Sequence, residues 1–181
     1  MAHLETTESS ELLYEGKILN LRRDRVRLEN GRTTTREVVE HHGGVAILAL
    51  DEAGQALFVR QFRYPFRSVL LELPAGKLEK GEDPLTCGRR ELEEECGCVA
   101  EEFLPLGQLY PTCAYDTEVI HLFLARHLHP THQHLDENEF LTVERIPLEQ
   151  AVELVLAGEI PDAKTQLALL KYRALQDAGR L

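Results

Sequence analysis

The stretch from residue 84 to residue 97 limits what this chain can fold into more than any other. Asp83-Pro84 reads as a helix N-cap followed by proline at the first helical position, and Gly97 as the C-terminal stop. On such a helix Glu91, Glu94 and Glu95 share one face, while Glu93 points elsewhere. Like charges on adjacent turns destabilise a helix unless something neutralises them. A hard divalent cation with oxygen ligands is one neutraliser. A solvated acidic surface is the plainer alternative. Glu82, in the loop before the helix, can fold back toward the same face, where Arg90 can pair with it. Leu85, Leu92 and Cys96 lie on a neighbouring face and are expected to bury the back of the helix. Gly76 is expected to give a tight backbone turn, with the carbonyl of Ala75 as a further ligand.

The rest of the chain reads as mixed strand and helix. Residues 1–10 look frayed. Strands are expected at 12–19, 22–28 and 33–41, the last two joined by Glu29-Asn30-Gly31-Arg32, a strong hairpin signal. This portion is highly charged and alternates poorly, as in a small sheet that needs a partner surface. Gly43-Gly44 marks a boundary, dividing an N-terminal β-extension (1–42) from a main domain (43–181). Residues 45–50 and 56–63 are expected to form an apolar hairpin, and 69–73 a short buried strand broken by Pro74-Ala75-Gly76. Strands at 103–109, 118–125 and 140–146 follow, with a long polar loop at 127–139. Helices at 148–157 and 162–177 finish the chain, the last capped by Asp162. Without strict βαβ alternation, the fold class is α+β.

Charge and composition narrow the function. Thirty-one acids against twenty bases give a net charge of −11 over 181 residues. Such a field repels nucleic-acid backbones and anionic membranes, so neither is an expected partner. It still admits a small anionic substrate where local arginines and a metal reverse the sign. The start, through Glu11, is polar and does not read as a signal peptide, and no apolar run reaches the roughly 20 residues of a membrane span. Cys87, Cys96, Cys98 and Cys113 suit neither a disulfide framework nor a paired zinc site, and read as reduced thiols of a cytoplasmic protein. His127, His129, His132 and His134 lie close enough in sequence to suggest zinc, but without a cysteine partner the plainer reading is a polar loop.

The full spacing is more specific than the acidic face. Gly76, five residues, Glu82, seven residues, Arg90-Glu91-Leu92, one residue, Glu94-Glu95, one residue, Gly97 and then an apolar Cys98 resembles the Nudix box at every fixed position. The resemblance implies a Nudix fold, a mixed sheet sandwiched between helices, and hydrolysis of a nucleoside diphosphate linkage with Mg²⁺ or Mn²⁺. It makes Glu91 and Glu95 principal metal ligands and Glu94 a further one, and has Arg90 orient Glu82.

Outside the box, Arg36-Glu37-Val38-Val39-Glu40-His41, Val59-Arg60-Gln61-Phe62-Arg63-Tyr64-Pro65, Glu72-Leu73-Pro74-Ala75-Gly76 and Asp162-Ala163-Lys164-Thr165 resemble the ADP-ribose pyrophosphatase and nucleoside diphosphate sugar hydrolase branch. That branch implies a homodimer with swapped N-terminal strands. Arg36 and Glu37 would then lie near the nucleobase in the neighbouring subunit's site, and Arg63 near the diphosphate or base. The plainer alternative for each is a surface charge in an ion pair. In the 136–139 loop the resemblance makes Glu137 the general base and Glu139 an additional metal contact, against the alternative of a solvated acidic loop. The turn Tyr110-Pro111-Thr112-Cys113-Ala114-Tyr115 keeps the proline but lacks the glycine common in the branch, which leaves room for sugars other than ADP-ribose. Tyr115 is a candidate to stack on a base or sugar. Other cofactor-like substrates (FAD, NADH, coenzyme A) and a non-catalytic sensing domain remain as alternatives.

Overall fold

The computed structural model describes residues 3–181, and the chain divides into two compact units. The expected fraying of residues 1 and 2 lies outside the described residues.

One unit comprises the chain up to Gly43 together with Tyr110–Val119. Its sheet has the order β1 (Thr6–Glu15), β2 (Asn20–Arg27), β3 (Thr33–Glu40), all antiparallel. The Asn-Gly turn forms as read, with Gly31 at φ 80° and hydrogen bonds between Leu28 and both Gly31 and Arg32. Thr6–Ser10, expected to fray, instead belongs to β1. Cross-strand pairs hold it: Ser10 donates to Asp24 at 2.6 Å, and Arg25 and Arg27 both bond Glu8. Every β1 residue is exposed, including Leu12, Leu13 and Tyr14. Val39 of β3 exchanges backbone hydrogen bonds with Tyr115 and Thr117 at 2.7 and 3.0 Å, fastening the 110–119 segment to this sheet.

The other unit comprises Gly44–Leu109 and Ile120–Leu181. A four-stranded mixed sheet has the order β7 (Ala75–Lys77), β4 (Gly44–Ala49), β9 (Ile120–Pro130), β8 (Cys98–Leu109). An antiparallel sheet has the order β10 (Leu141–Pro147), β5 (Gln55–Arg63), β6 (Ser68–Glu72). Three helices complete it: α1 (Pro84–Cys96), α2 (Leu148–Leu156) and α3 (Ala163–Asp177). All six residues of β4 are buried, as a strand covered on both faces requires. Ala46 and Leu48 pack with Ala151, Val155, Ala168 and Leu169 of α2 and α3. Val45, Ile47 and Ala49 pack with Cys87 and Leu92 of α1. The mixed sheet is thus sandwiched between helices in an α+β fold.

Three expectations need correction. Residues 45–50 and 56–63 are not a hairpin: they lie in different sheets and share one bridge, Leu50 to Ala56. Both edges of β4 are already taken, by β7 antiparallel and β9 parallel, which leaves β5 to pair with β6 and β10. Pro74-Ala75-Gly76 does not simply break a strand, because Ala75–Lys77 begins the next one. β8 starts directly after Gly97, and β9 runs on through His127 and His129 to Pro130, with Cys98 opposite Pro130. His127 and His129 pair there with Glu52 and Glu101 at 3.0 and 2.7 Å. No helix among the described residues is long and apolar enough to cross a membrane.

A buried ionic knot ties β5, β6 and α3. Glu72, 2% exposed at the end of β6, accepts two hydrogen bonds from Arg63 at 2.6 and 2.8 Å and a third from Lys164. Lys164 also reaches Asp162 at 2.9 Å, and Asp162 caps α3 by accepting from the Thr165 amide and hydroxyl at 3.0 and 2.6 Å. Burial pushes the Glu72 carboxyl up, but the hydrogen bonds and charges of Arg63 and Lys164 outweigh it and hold it below the ordinary value. A carboxylate depressed in the folded state stabilises above its unfolded pKa, and that contribution is lost as pH falls through the folded value. Glu72→Gln is therefore expected to cost about 3 kcal/mol at pH 7, the scale for breaking a buried pair. Urea unfolding at stepped pH should show this gap shrinking below about pH 4.3, the ordinary glutamate value. A gap that stays constant down to pH 2 would refute the assignment.

Candidate active site

α1 forms as its sequence specifies. Asp83 accepts from the Thr86 amide at 3.0 Å, Pro84 opens the helix, and Gly97 closes it at φ 59° with its N–H on the Glu93 carbonyl. The buried face is Cys87, Gly88, Leu92 and Glu95. Leu85, expected on that face, is exposed, and Cys96 is only partly buried. Leu85 lies in the first turn, where Cys87 and Gly88 make the contact with the sheet side, Gly88 approaching the Phe103 and Phe123 rings.

Arg90 organises the acidic face. Its Nε and Nη2 bond Glu82 at 3.0 and 3.1 Å, as the expected pairing requires. Its Nη1 also bonds Glu91 and Glu94, both at 2.8 Å. The Arg90 hydrogen bonds hold the Glu82 carboxyl down at about 2, and the surrounding acids raise Arg90 in turn. Glu82 also accepts from the Glu79 amide at 2.9 Å, which fixes the loop before the helix.

Glu95, one turn beyond Glu91 on the same helix, is 1% exposed. Its Oε2 accepts from the Ala75 amide at 2.9 Å. Burial, only partly offset by that amide, pushes its carboxyl up to about 8. Burial raises Glu91 too, and Glu139 adds like charge to both. Glu139 accepts from Gln61 of β5 at 3.3 Å. Glu91 and Glu95 are thus buried carboxylates that repel each other and Glu139, although among the described residues no three acidic, histidine or cysteine side chains are gathered closely enough to hold a metal ion as they stand. That donor chemistry fits a hard divalent cation.

Gly76 has a role other than the expected tight turn. It lies in extended β7, and a Cβ built on it would fall 1.8 Å from Cδ of Glu91. Its missing side chain is the space that the Glu91 carboxylate occupies.

The 131–139 loop is anchored where it begins. Thr131 N and His134 N donate to the carbonyls of Gly97 and Glu94 at 2.7 and 3.1 Å, and the Gln133 side chain donates to the Glu95 carbonyl at 2.6 Å. These bonds satisfy carbonyls that the end of α1 leaves open. Glu137 lies exposed in the turn beyond, and among the described residues no hydrogen bond or ion pair brings it to the cluster.

The candidate residues thus fall into groups. Ala75, Glu82, Arg90, Glu91, Glu94, Glu95 and Glu139 come together, and Arg63 is within charge range of Glu95. Arg36, Glu37 and Tyr115 belong to the other unit. There Arg36 is exposed and paired with Glu5 at 2.6 Å, Glu37 stands opposite Arg23, and Tyr115 is exposed. Sequence reasoning gave no role to Glu72, Lys164 or Gln133. An acid inside Leu70-Leu71-Glu72-Leu73 was the signal for the first.

Comparison with known proteins identifies the family. The NUDIX domain profile matches residues 40–169, and the nucleoside diphosphate sugar hydrolase N-terminal domain profile matches residues 5–39. The chain is 40% identical over 176 residues to an ADP-ribose pyrophosphatase of Bacillus subtilis, covering 96% of this chain and 95% of that one. It is 38% identical, with the same coverage, to a methanol dehydrogenase activator of Bacillus methanolicus. A crystal structure of an ADP compounds hydrolase superposes with a TM-score of 0.85 at 23% identity, covering 98% of this chain and 97% of that one, which establishes the shared fold. With its box residues gathered on and around α1 and the profile spanning most of its length, the chain belongs to the Nudix family.

Proposed function

We propose that the protein hydrolyses the diphosphate bond of ADP-ribose or a related nucleoside diphosphate sugar, releasing a nucleoside monophosphate and a sugar phosphate. The observation that carries this reading is the box geometry: Glu91 in the space beside Gly76, Glu95 buried against the Ala75 amide, and Arg90 bridging Glu82, Glu91 and Glu94. The ADP-ribose pyrophosphatase relative and the N-terminal domain match support the substrate class.

In this reading the Ala75 carbonyl, Glu91, Glu94, Glu95 and Glu139 hold Mg²⁺ or Mn²⁺. When bound, the metal supplies Lewis-acid polarisation of the diphosphate and a more acidic water. Arg90 holds Glu82 against the loop and offsets part of the charge of Glu82, Glu91 and Glu94. Arg63 presents a guanidinium to the diphosphate oxygens. Glu137 accepts the proton of the attacking water, which requires the tip of its loop to swing in when substrate binds. Arg36, Glu37 and Tyr115 contact the nucleoside from the partner subunit of a homodimer, whose contact surface would include the exposed apolar side chains of β1. The four free thiols support a cytoplasmic setting.

With Mg²⁺ and a panel of ADP-ribose, ADP-glucose, GDP-mannose, NADH, FAD and coenzyme A, nucleoside monophosphate release is expected first with the sugar-linked substrates. Turnover of FAD, NADH or coenzyme A alone would reassign the substrate class, and turnover of none would leave a non-catalytic domain. Glu91→Gln and Glu95→Gln should each lower kcat about 100-fold or more while circular dichroism stays native. Full activity in either would remove that residue from the metal set.

Light scattering should give the mass of a dimer, and Arg36→Ala should raise KM with little change in kcat, as expected for a pure binding contact. A fully active monomer would exclude a shared site.

A further inference from the structure

Resting on that functional reading, we infer that Glu72 is a positioning residue for the reaction. It grips one edge of the Arg63 guanidinium and leaves the other edge open for the oxygens of the substrate diphosphate. A guanidinium carries five N–H donors in a rigid plane. Nε and Nη2 of Arg63 are spent on the two Glu72 oxygens at 2.6 and 2.8 Å. Among the described residues no hydrogen bond uses Nη1. Lys164 shares the same carboxylate, so Arg63 is not its sole counter-charge and can take a second anion.

The backbone beyond Glu72 fixes where that open edge lies. Leu73 N donates to the Thr165 hydroxyl at 2.9 Å, the Pro74 carbonyl accepts from Ile47 at 2.9 Å, and Ala75 N donates to Glu95 at 2.9 Å. Three successive residues between the two buried carboxylates are pinned, to α3, to β4 and to α1 in turn. This strap sets the separation of Arg63 from the metal-side carboxylates. Arg63 is held protonated chiefly by its Glu72 hydrogen bonds, and it also senses the charge of Glu95.

A buried ion pair is weak evidence for stability, since apolar side chains of similar volume are often as stable. What the pair supplies is orientation. An arginine clamped by a bidentate carboxylate meets its anion with no reorganisation, whereas a free one must be ordered on binding. Lys164, Asp162 and Thr165 act as the strut behind the clamp, because they tie Glu72 and Leu73 to the first turn of α3.

A double-mutant cycle on the full-length protein tests this, with kcat and KM measured for the panel substrate that the wild type turns over best. Arg63→Ala is expected to lower kcat/KM about 100-fold, the scale for one lost charge-stabilising donor. Glu72→Gln should lower it about tenfold with Arg63 present, but less than about twofold in the Arg63→Ala background, because a positioning residue has nothing left to position. Equal losses in both backgrounds would mean that Glu72 acts independently of Arg63, and that result overturns the inference, as does full activity of Arg63→Ala; a role confined to stability would lower the folded fraction in urea unfolding while leaving kcat/KM per folded molecule unchanged, which overturns it too. Each variant is checked for a native circular dichroism spectrum at the assay temperature. If Glu72→Gln does not fold, Glu72→Asp keeps the charge, withdraws the carboxylate from Arg63 and is judged by the same criterion. A wild type inactive on the whole panel sinks the functional reading and this inference together. An active wild type with an additive cycle sinks the inference alone.

Discussion

Everything around α1 follows from packing carboxylates where water cannot neutralise them. Glu91 and Glu94 share the guanidinium of Arg90, which also reaches back to Glu82. Glu95, turned toward the sheet, has an amide but, among the described residues, no cation within hydrogen-bonding distance. Repulsion between Glu91, Glu95 and Glu139 therefore survives in the folded chain, and burial magnifies it. A fold that keeps such a cluster gives up stability unless positive charge is added to it. The same accounting explains why Arg90 is bonded to three acids at once. It is the resident counter-charge of Glu82, Glu91 and Glu94.

This arrangement needs two elements outside the helix. One is the absence of a side chain at residue 76, without which Glu91 has no room to lie against β7. The other is the Ala75 amide, which faces Glu95 because Leu73 and Pro74 are pinned to α3 and β4. Glu95 and the Arg63–Glu72 pair thus lie at the two ends of one short strap. Distortion at either end would be felt at the other.

What could be read in the sequence was whatever had a short-range cause. The caps of α1 at Asp83, Pro84 and Gly97, the Asn30-Gly31 turn and the cap of α3 at Asp162 are local choices, and each formed where read. The Arg90–Glu82 pair was legible because the spacing of the box specifies it. The pairing of β4 was not. Two apolar runs around Asp51–Gly54 look like a hairpin, and nothing local reveals that distant strands occupy both edges of the first. The role of Gly76 was hidden for a similar reason. A glycine announces freedom from a Cβ but not what fills the space, and here the occupant lies fifteen residues ahead on a helix. The start of β8 directly after Gly97, and the run of β9 through polar histidines, depend on cross-strand pairing rather than on apolar pattern.

The same logic bears on how the 131–139 loop could serve the site. Its root cannot move independently of α1, since Thr131, Gln133 and His134 satisfy the carbonyls of Gly97, Glu95 and Glu94. Gly97 is left-handed, and a Cβ there would meet Gln133 N at 2.8 Å, so root and helix end are packed as one piece. Its far end enters β10 at Leu141, whose ladder to β5 begins opposite Gln61, the partner of Glu139. Between these anchors, among the described residues, 135–138 make no hydrogen bond to α1 or β5, and Glu137 sits among them. The proposed role of Glu137 as general base therefore asks for movement of this short span alone, since both of its ends are fixed to the elements that carry the other acids. The like charge of Glu91, Glu95 and Glu139 opposes that movement, so in the proposed reaction it would require a bound species that offsets their charge.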